Sequence, residues 1–316
     1  MGTDADIVRP LPVLLREHAR SIGEQVAFED RRTRLTYRDL ERRTRRLAGH
    51  LAGLSPARGE RVAILLGNRV EAVESLLAVT RASAVGVPLD PGGSGPELAH
   101  LLDDSGARVI VTDPARLSRL RPLLAARPGL TVLVVEEAEE IEEVEEPPGA
   151  DPDGEPDGHP QPGSADTVQL RYEDLVGTEP RTPAPDDLGL DEVAWLLYTS
   201  GSSGTPKGVL LTQRNRLAPV AAGLVGVLGM SRQDRLLWPL PLHHAMSHVV
   251  CVVGVAATGA SAMIPPRFTV AEVLAQLRRT DAPYTLLGGV PTTYSALLDE
   301  VRAEAARGQG DGDVGP

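Results

Sequence analysis

Residues 199–208 bring together side chains that could hold a phosphate group. The stretch reads Thr-Ser-Gly-Ser-Ser-Gly-Thr-Pro-Lys-Gly, and Lys207 is the only lysine among the 32 Lys and Arg residues of the chain. Glycines let successive backbone N–H groups converge on an anion, and hydroxyl groups add further donors. An ammonium group is a compact charge that can follow a moving phosphate, whereas a guanidinium group prefers fixed bidentate partners. The stretch therefore predicts a phosphate-binding loop of Thr199, Ser200, Gly201, Ser202, Ser203, Gly204, Thr205 and Lys207.

Two other interpretations of this stretch are open. A P-loop NTPase would carry the pattern G-x-x-x-x-G-K-[ST], but here Pro206 precedes the lysine and Gly208 follows it. A flexible Gly/Ser linker has a similar composition. Apolar segments at 195–197 and 209–211 predict buried strands on both sides of the stretch. Because linkers do not usually join two buried strands, these flanks favour the phosphate-binding loop.

Three of the seven histidines, His243, His244 and His248, lie within six residues. His244 and His248 are four residues apart, so both side chains could face one side of a helix and bind a metal ion. No Asp or Glu nearby offers a third ligand, and we therefore predict no metal site. The alternative is a histidine that is packed and hydrogen-bonded at the start of a helix.

Composition narrows the classes of function. The net charge of −12 argues against an extended nucleic-acid surface. Much of the acidity lies in residues 136–146, which open a Pro/Gly/Asp-rich segment and predict a solvated linker. The single cysteine, Cys251, excludes an intramolecular disulfide. The sequence shows neither a secretory signal nor an apolar run of the ~20 residues that a membrane helix needs, so we expect a cytoplasmic protein without a membrane span.

The elements that must position these residues alternate between strands and helices. Apolar patterns predict strands at 61–66, 84–88, 108–111, 130–135, 193–198, 235–238, 260–264 and 284–287. Helical patterns occur at 71–81, 97–104, 115–126, 212–228, near Ser247, at 270–279 and at 292–307. Strands separated by about 10 to 15 helical residues indicate βαβ units and parallel pairing. We therefore expect an α/β fold of two βαβ lobes with largely parallel sheets.

Residues 197–209 resemble the signature of the acyl-adenylate-forming enzymes, the AMP-dependent synthetases and ligases that include acyl-CoA synthetases. Further segments are similar to successive segments of that family, in the same order, at 35–40, 84–90, 241–244 and 289–294. The resemblance implies an incomplete N-terminal domain of such an enzyme. We expect its first α/β part at 1–135, a linker or insertion at 136–187, its second α/β part at 188–307 and a truncated loop at 308–316.

The resemblance also implies a two-step reaction. A carboxylate would attack the α-phosphorus of ATP in the presence of Mg²⁺ and displace pyrophosphate. A thiol of CoA, or of the phosphopantetheine of an acyl carrier protein, would then capture the acyl-AMP. By the same resemblance, Thr199 to Lys207 would hold the β- and γ-phosphates. His244 would be the catalytic histidine, between the acyl pocket and the nucleotide.

The same region bears on the choice of substrate. Relatives that activate amino acids carry an aspartate here to pair with the substrate ammonium, whereas residues 236–258 contain no Asp or Glu. Because a buried ammonium group without a counter-charge is costly, we expect a fatty acid or another acyl acid. The apolar residues 249–255 either line an acyl tunnel or form an ordinary core helix.

Several functional parts of the family have no counterpart in this chain. The segments that place magnesium and the ribose, and a small carboxy-terminal domain with a second lysine, follow the part that is resembled here. Since Lys207 is assigned to the loop, no lysine remains for that second role. We therefore expect a fragment that is inactive alone and has the C-terminal part of the enzyme as its partner. The alternative is a non-catalytic derivative that binds an acyl ligand or a partner.

Overall fold

The computed structural model describes residues 7–54, 57–136, 167–199 and 206–310, with side chains as far as residue 307. The helices are α1 (Leu11–Ser21), α2 (Tyr37–Leu54), α3 (Val70–Arg81), α4 (Gly95–Ser105), α5 (Pro114–Ala125), α6 (Tyr172–Gly177), α7 (Gln213–Pro219), α8 (Ala245–Ser247), α9 (Val255–Thr258), α10 (Val270–Leu277) and α11 (Pro291–Gly310). Two π-helical segments, Val220–Val225 and His248–Gly254, continue α7 and α8. Within these ranges, no helix combines the length and apolarity required to span a bilayer.

The strands form two sheets. They are β1 (Val26–Glu29), β2 (Arg34–Thr36), β3 (Arg61–Leu65), β4 (Val85–Pro88), β5 (Val109–Thr112), β6 (Thr131–Val134), β7 (Val168–Arg171), β8 (Val193–Thr199), β9 (Lys207–Thr212), β10 (Arg235–Leu237), β11 (Ser261–Met263) and β12 (Leu286–Leu287). The larger sheet has the order β7-β6-β5-β3-β4-β8-β9, and the smaller has the order β12-β10-β11-β1-β2.

The larger sheet is parallel except at one edge, where β9 pairs antiparallel with β8. Every residue of β4 and β5 is buried, as expected for parallel strands that are covered by helices on both faces. In the smaller sheet, β1 pairs parallel with β11 and antiparallel with β2. The predicted α/β class with largely parallel sheets is confirmed.

The helices that cover the sheets follow from their residue pattern. In α2, the buried Tyr37, Leu40, Thr44, Leu47 and Leu51 recur every three or four residues and so share one face. That face packs on α3, which is buried along its whole length. The largest apolar core runs from these helices to both sheets and includes Phe28, Val62, Trp195 and Leu236. One continuous core thus fixes the two sheets relative to each other.

A buried ionic cluster ties residues 172–186 to this core. The guanidinium group of Arg81 is fully buried and donates to both carboxylate oxygens of Asp186 at 2.8 Å. It also donates to the Glu41 carbonyl at 2.8 Å and to the Thr44 hydroxyl at 3.0 Å. Since a buried charge is costly unless it is paired and hydrogen-bonded, this set of contacts specifies where the chain returns to the helices.

The structure departs from the sequence-based expectation at three places. The range 136–187, expected as a linker or insertion, contains β7, which extends the larger sheet, and α6, which packs on α2. The predicted buried strand 209–211 is an edge strand, with Val209 and Leu210 exposed at 42% and 54%. The helix expected at 212–228 continues beyond Pro219 as a π-helical segment. Strands from 1–135 and from 188–307 share each sheet. The division of the chain into these two parts stays a prediction.

Candidate functional site

The two ends of the predicted phosphate loop are held together by backbone pairing. Thr199, the last residue of β8, lies opposite Lys207, the first residue of β9, in the antiparallel ladder. The Thr199 hydroxyl donates to the Lys207 carbonyl at 3.4 Å. Both side chains are exposed. The remaining predicted loop residues, Ser200, Gly201, Ser202, Ser203, Gly204 and Thr205, lie outside the described residues.

Gly208 and Tyr198 fix the base of this loop. A Cβ atom on Gly208 would lie 2.7 Å from Cδ1 of Leu196 and 3.3 Å from the Tyr198 ring, so a larger residue beside Lys207 would require the Leu196 side chain to move. The Tyr198 hydroxyl donates to Asp104 of α4 at 2.6 Å. Burial, and then the Asp104 hydrogen bond, raise the pKa of Tyr198. The hydroxyl thus stays protonated and anchors β8 to α4.

Strand register places a carboxylate near the loop. Gly86 of β4 is paired with Trp195 of β8, and Asp90 and Thr199 each follow that pair by four residues. Because the strands are parallel, their carboxyl ends meet at one edge of the sheet, where ligands of open α/β sheets bind. Asp90 therefore lies at the same edge of the sheet as Thr199, the first residue of the predicted loop.

The histidine pair reaches the same edge. The Nε2 atom of His243 lies 3.8 Å from Oδ1 of Asp90, and the rings of His243 and His244 are 4.2 Å apart between centroids. Burial lowers the pKa of His243, the neighbouring His244 lowers it further, and Asp90 acts in the opposite direction. His244 is the exposed residue that immediately precedes α8. The structure thus brings the predicted catalytic residue to the strand edge of Thr199 and Lys207.

Asn68 supports the turn before the histidines. Its side-chain amide donates to the carbonyls of Leu240 and Pro265 at 3.0 and 3.2 Å, and its Oδ1 accepts from the backbone N–H of Leu242 at 2.9 Å. Asn68 lies three residues beyond the end of β3, and Asp90 lies two residues beyond the end of β4. Sequence reasoning missed both residues, although a polar side chain just after a predicted parallel strand was the signal that could have found them.

His248 lies deeper than the other two histidines. It is fully buried, and its ring meets the Trp195 indole edge-on at 4.6 Å between centroids. Neither ring nitrogen has a hydrogen-bond partner, so the expectation of a packed and hydrogen-bonded histidine is met only in its packing. Burial, and secondarily the charge of Arg216, lower the pKa of His248 to about 3. Sequence reasoning did not single out Arg216, and its position on α7 gave no signal.

The structure also places the other predicted features. Among the described residues, no three His, Cys, Asp or Glu side chains are grouped so as to hold a metal ion. In the apolar segment 249–255, the residues Cys251, Val252, Val253 and Val255 are fully buried in the main core. Burial raises the pKa of the Cys251 thiol. Most of this segment therefore serves as core.

Three comparisons place the chain among known proteins. Chalcone synthase cfoA of Aspergillus candidus is 40% identical over 92% of this chain and 10% of its own length. The mitochondrial malonate–CoA ligase ACSF3 of Mus musculus is 30% identical over 92% of this chain and 44% of the ligase. ATP-bound MatB from Rhodopseudomonas palustris has a TM-score of 0.70 at 26% identity, over 91% of this chain and 51% of MatB. The chain thus spans less than half the length of these two curated relatives.

A family match covers nearly the whole chain. The family described as AMP-binding enzyme matches residues 15–312. The fold corresponds to the N-terminal domain of adenylate-forming enzymes. The loop ends at Thr199 and Lys207 and the histidine pair lie within the matched residues, and this protein belongs to the AMP-binding enzyme family.

Proposed function

We propose that this chain binds ATP and a carboxylic acid and forms the nucleotide-binding part of an acyl-activating ligase. The product of its first step is an acyl-AMP, and the acceptor in the second step is the thiol of CoA or of a carrier protein. The observation that carries the proposal is the pairing of Thr199 with Lys207 at the carboxyl edge of the sheet, beside Asp90 and the histidine pair.

In this proposal Lys207 supplies the positive charge for the polyphosphate. No carboxylate within the described residues pairs with its ammonium group, so the charge is available to a ligand. The backbone and hydroxyl groups of residues 199–205 would bind the β- and γ-phosphates. One carboxylate oxygen of the acid then forms a bond to the α-phosphorus as the bond to the pyrophosphate oxygen breaks, and pyrophosphate leaves with the electron pair. The residues contribute by positioning and by charge.

His244 is the proposed catalytic side chain. It directly precedes α8, next to His243, whose Nε2 lies 3.8 Å from Oδ1 of Asp90 at the edge of the sheet. We propose that the imidazole of His244 acts between the carboxylate of the acid and the nucleotide. We assign no residue of this chain to Mg²⁺, since the described residues offer no cluster of suitable ligands.

The substrate is proposed to be an acyl acid rather than an amino acid. Residues 236–258 carry no acidic side chain to neutralise a substrate ammonium group. ACSF3 is named as a malonate–CoA ligase, which supports an acyl acid as substrate and CoA as acceptor. Since MatB is about twice as long as its matched part, we propose that further segments complete the active enzyme. The cytoplasm remains our proposed location.

The test is ATP–pyrophosphate exchange by the full-length protein across a panel of carboxylic acids. Lys207→Ala should lower the exchange rate by about 10²-fold, the usual effect of removing one group that stabilises the transition state. Arg214→Ala is the matched control, because Arg214 of α7 forms an exposed pair with Asp191 and its replacement should leave the rate unchanged. An unchanged rate in Lys207→Ala, or exchange that depends on an α-amino acid, would overturn the proposal.

A further inference from the structure

Asn68 joins the two sheets at the edge that carries the candidate site. It lies beyond the carboxyl end of β3 in the larger sheet, and its hydrogen-bond partners lie beyond the carboxyl ends of β10 and β11 in the smaller sheet. The side-chain amide donates to the carbonyls of Leu240 and Pro265, and its Oδ1 atom accepts from the backbone N–H of Leu242. One side chain thus bonds to the segments that follow two strands of the other sheet.

The partners of Asn68 match the chemistry of an amide group. Two carbonyl oxygens face its NH2 group, which has two donors, and one N–H faces its oxygen, which only accepts. An aspartate has the same shape, but its ionised form has no donor and would place negative charge against two carbonyl oxygens. An alanine would leave all three backbone groups without this partner.

The segment that Asn68 holds is the one that presents the histidines. Leu242 is buried in the main core, and the backbone N–H of His244 closes a turn by donating to the Pro241 carbonyl at 3.3 Å. His243 directly follows Leu242, whose N–H is bound to Asn68. The positions of both imidazoles therefore depend on a backbone turn that is fixed by apolar packing and by Asn68.

The candidate site takes residues from both sheets. Thr199 ends β8 and Asp90 follows β4, both in the larger sheet, whereas the histidine pair follows β10 of the smaller sheet. A reaction between an acid at His244 and a nucleotide in the phosphate loop requires these residues at a fixed separation. We propose that Asn68 is the positioning residue that fixes this separation, by holding the histidine turn against the larger sheet. This proposal rests on the proposed function and adds to its site a residue that acts through the histidines.

Gln25 offers a matched control at the opposite edge of the smaller sheet. Its side-chain amide also donates to two backbone carbonyls, those of Arg232 and Gly259 at 2.8 and 2.9 Å. Gln25 is partly buried, as Asn68 is, but its partners precede β10 and β11 instead of following them. Gln25→Ala therefore removes hydrogen bonds of the same kind away from the histidine pair.

The experiment measures pyrophosphate exchange by the full-length wild type, Asn68→Ala, Asn68→Asp and Gln25→Ala. Both Asn68 variants should lower kcat by at least about tenfold, because a misplacement of about 1 Å can reduce a rate about 10²-fold. KM for ATP should stay at the wild-type value, because Asn68 forms its hydrogen bonds with segments other than β8 and β9. Gln25→Ala should leave kcat and KM unchanged.

A second readout does not depend on activity. The histidine ring resonances of the same proteins are recorded by NMR as a function of pH, without substrate. Burial is the main cause that lowers the pKa of His243 in the wild type, so a turn released toward solvent in Asn68→Ala should bring that pKa closer to its ordinary value. Gln25→Ala should leave it unchanged. Circular dichroism establishes that each variant is folded, and the kinetics of Asn68→Asp decide if Asn68→Ala is not.

The outcomes separate this proposal from the proposed function. If Asn68→Ala and Gln25→Ala lower kcat equally, or if the pKa of His243 is the same in Asn68→Ala and the wild type, Asn68 does not position the pair, and the proposed function is unaffected. Wild-type activity in Asn68→Asp would likewise overturn the proposal. If the pKa of His243 rises in Asn68→Ala but no acid supports exchange even in the wild type, the positioning role is supported and the proposed function is wrong.

Discussion

Asp90 and Thr199 each lie four residues beyond the register pair of Gly86 and Trp195, on neighbouring parallel strands. Through Asp90, this relationship brings the histidine pair to the edge of the sheet where Thr199 ends its strand, because His243 lies 3.8 Å from the Asp90 carboxylate. The candidate site therefore depends on the register of two buried strands as well as on the residues of the predicted loop.

Asp90→Asn should lower the pKa of His243. Burial and His244 already hold that pKa below its usual range, and Asp90 is the group that acts against them. Removing the negative charge leaves only the effects that favour neutral imidazole. The measurement is an NMR pH titration of the His243 ring. Asp104→Asn is the control, because Asp104, on α4, accepts a hydrogen bond from Tyr198 and not from His243. A pKa of His243 that stays constant or rises in Asp90→Asn would contradict the contact.

Arg81→Met should destabilise the fold by about 3–5 kcal/mol, because it leaves the carboxylate of Asp186 without its buried partner. The free energy of unfolding from urea titration is the measurement. The control is Arg214→Met, which removes an exposed pair with Asp191 and should change the free energy by less than about 1 kcal/mol. Equal effects of the two substitutions would show that the cluster around Arg81 does not hold residues 172–186 in place.

His248 should make the fold sensitive to acid. Its pKa is about 3 in the folded protein, against 6.5 for an unperturbed histidine. Between pH 6.5 and about 3 the unfolded chain therefore binds a proton that the folded protein does not. In this window, stability falls as the pH falls, by up to about 1.4 kcal/mol per pH unit from this residue. Above pH 6.5 both states are neutral, and the contribution is constant.

The comparison of wild type with His248→Leu isolates this effect. Urea unfolding is measured at pH 7, 6, 5 and 4, and the variant should lose less stability on acidification than the wild type. The difference between the two slopes removes the contribution of the other titrating groups. Parallel pH profiles for the two proteins would mean that His248 is protonated as readily in the folded state as in the unfolded chain.

The sequence predicted the βαβ region well, for a physical reason. Between residues 61 and 134 each apolar run is short and each helix is periodic, so local pattern alone places β3, α3, β4, α4, β5, α5 and β6. The strands on either side of the predicted loop were likewise expected, although Thr199 and Lys207 belong to the strands themselves and their role in binding phosphate stays a prediction. Both cases depend on residues that are close in the sequence.

Other features depend on contacts between distant residues, which local pattern does not contain. The residue pattern of β7 is that of a polar, exposed segment. β7 belongs to the sheet because it pairs with β6. The apolar residues of β9 predict a buried strand, but the sheet order places β9 at an edge. The contact between Trp195 and His248 joins residues 53 positions apart, and Asn68 supports a turn 174 residues away. Such relationships require the tertiary structure.

Both sheets take strands from either side of residues 137–166. During synthesis, β1 can pair with β2 and β4 with β3, but their second neighbours, β11 and β8, are made only after residues 137–166. The two sheets are therefore expected to form slowly, and only after the strands beyond residue 166 have been synthesised. Pairings of high sequence separation carry a large loop-closure entropy. Cleavage of the chain within 137–166 would give two pieces, each of which lacks strands of both sheets. The two pieces would form the native structure only by associating with each other.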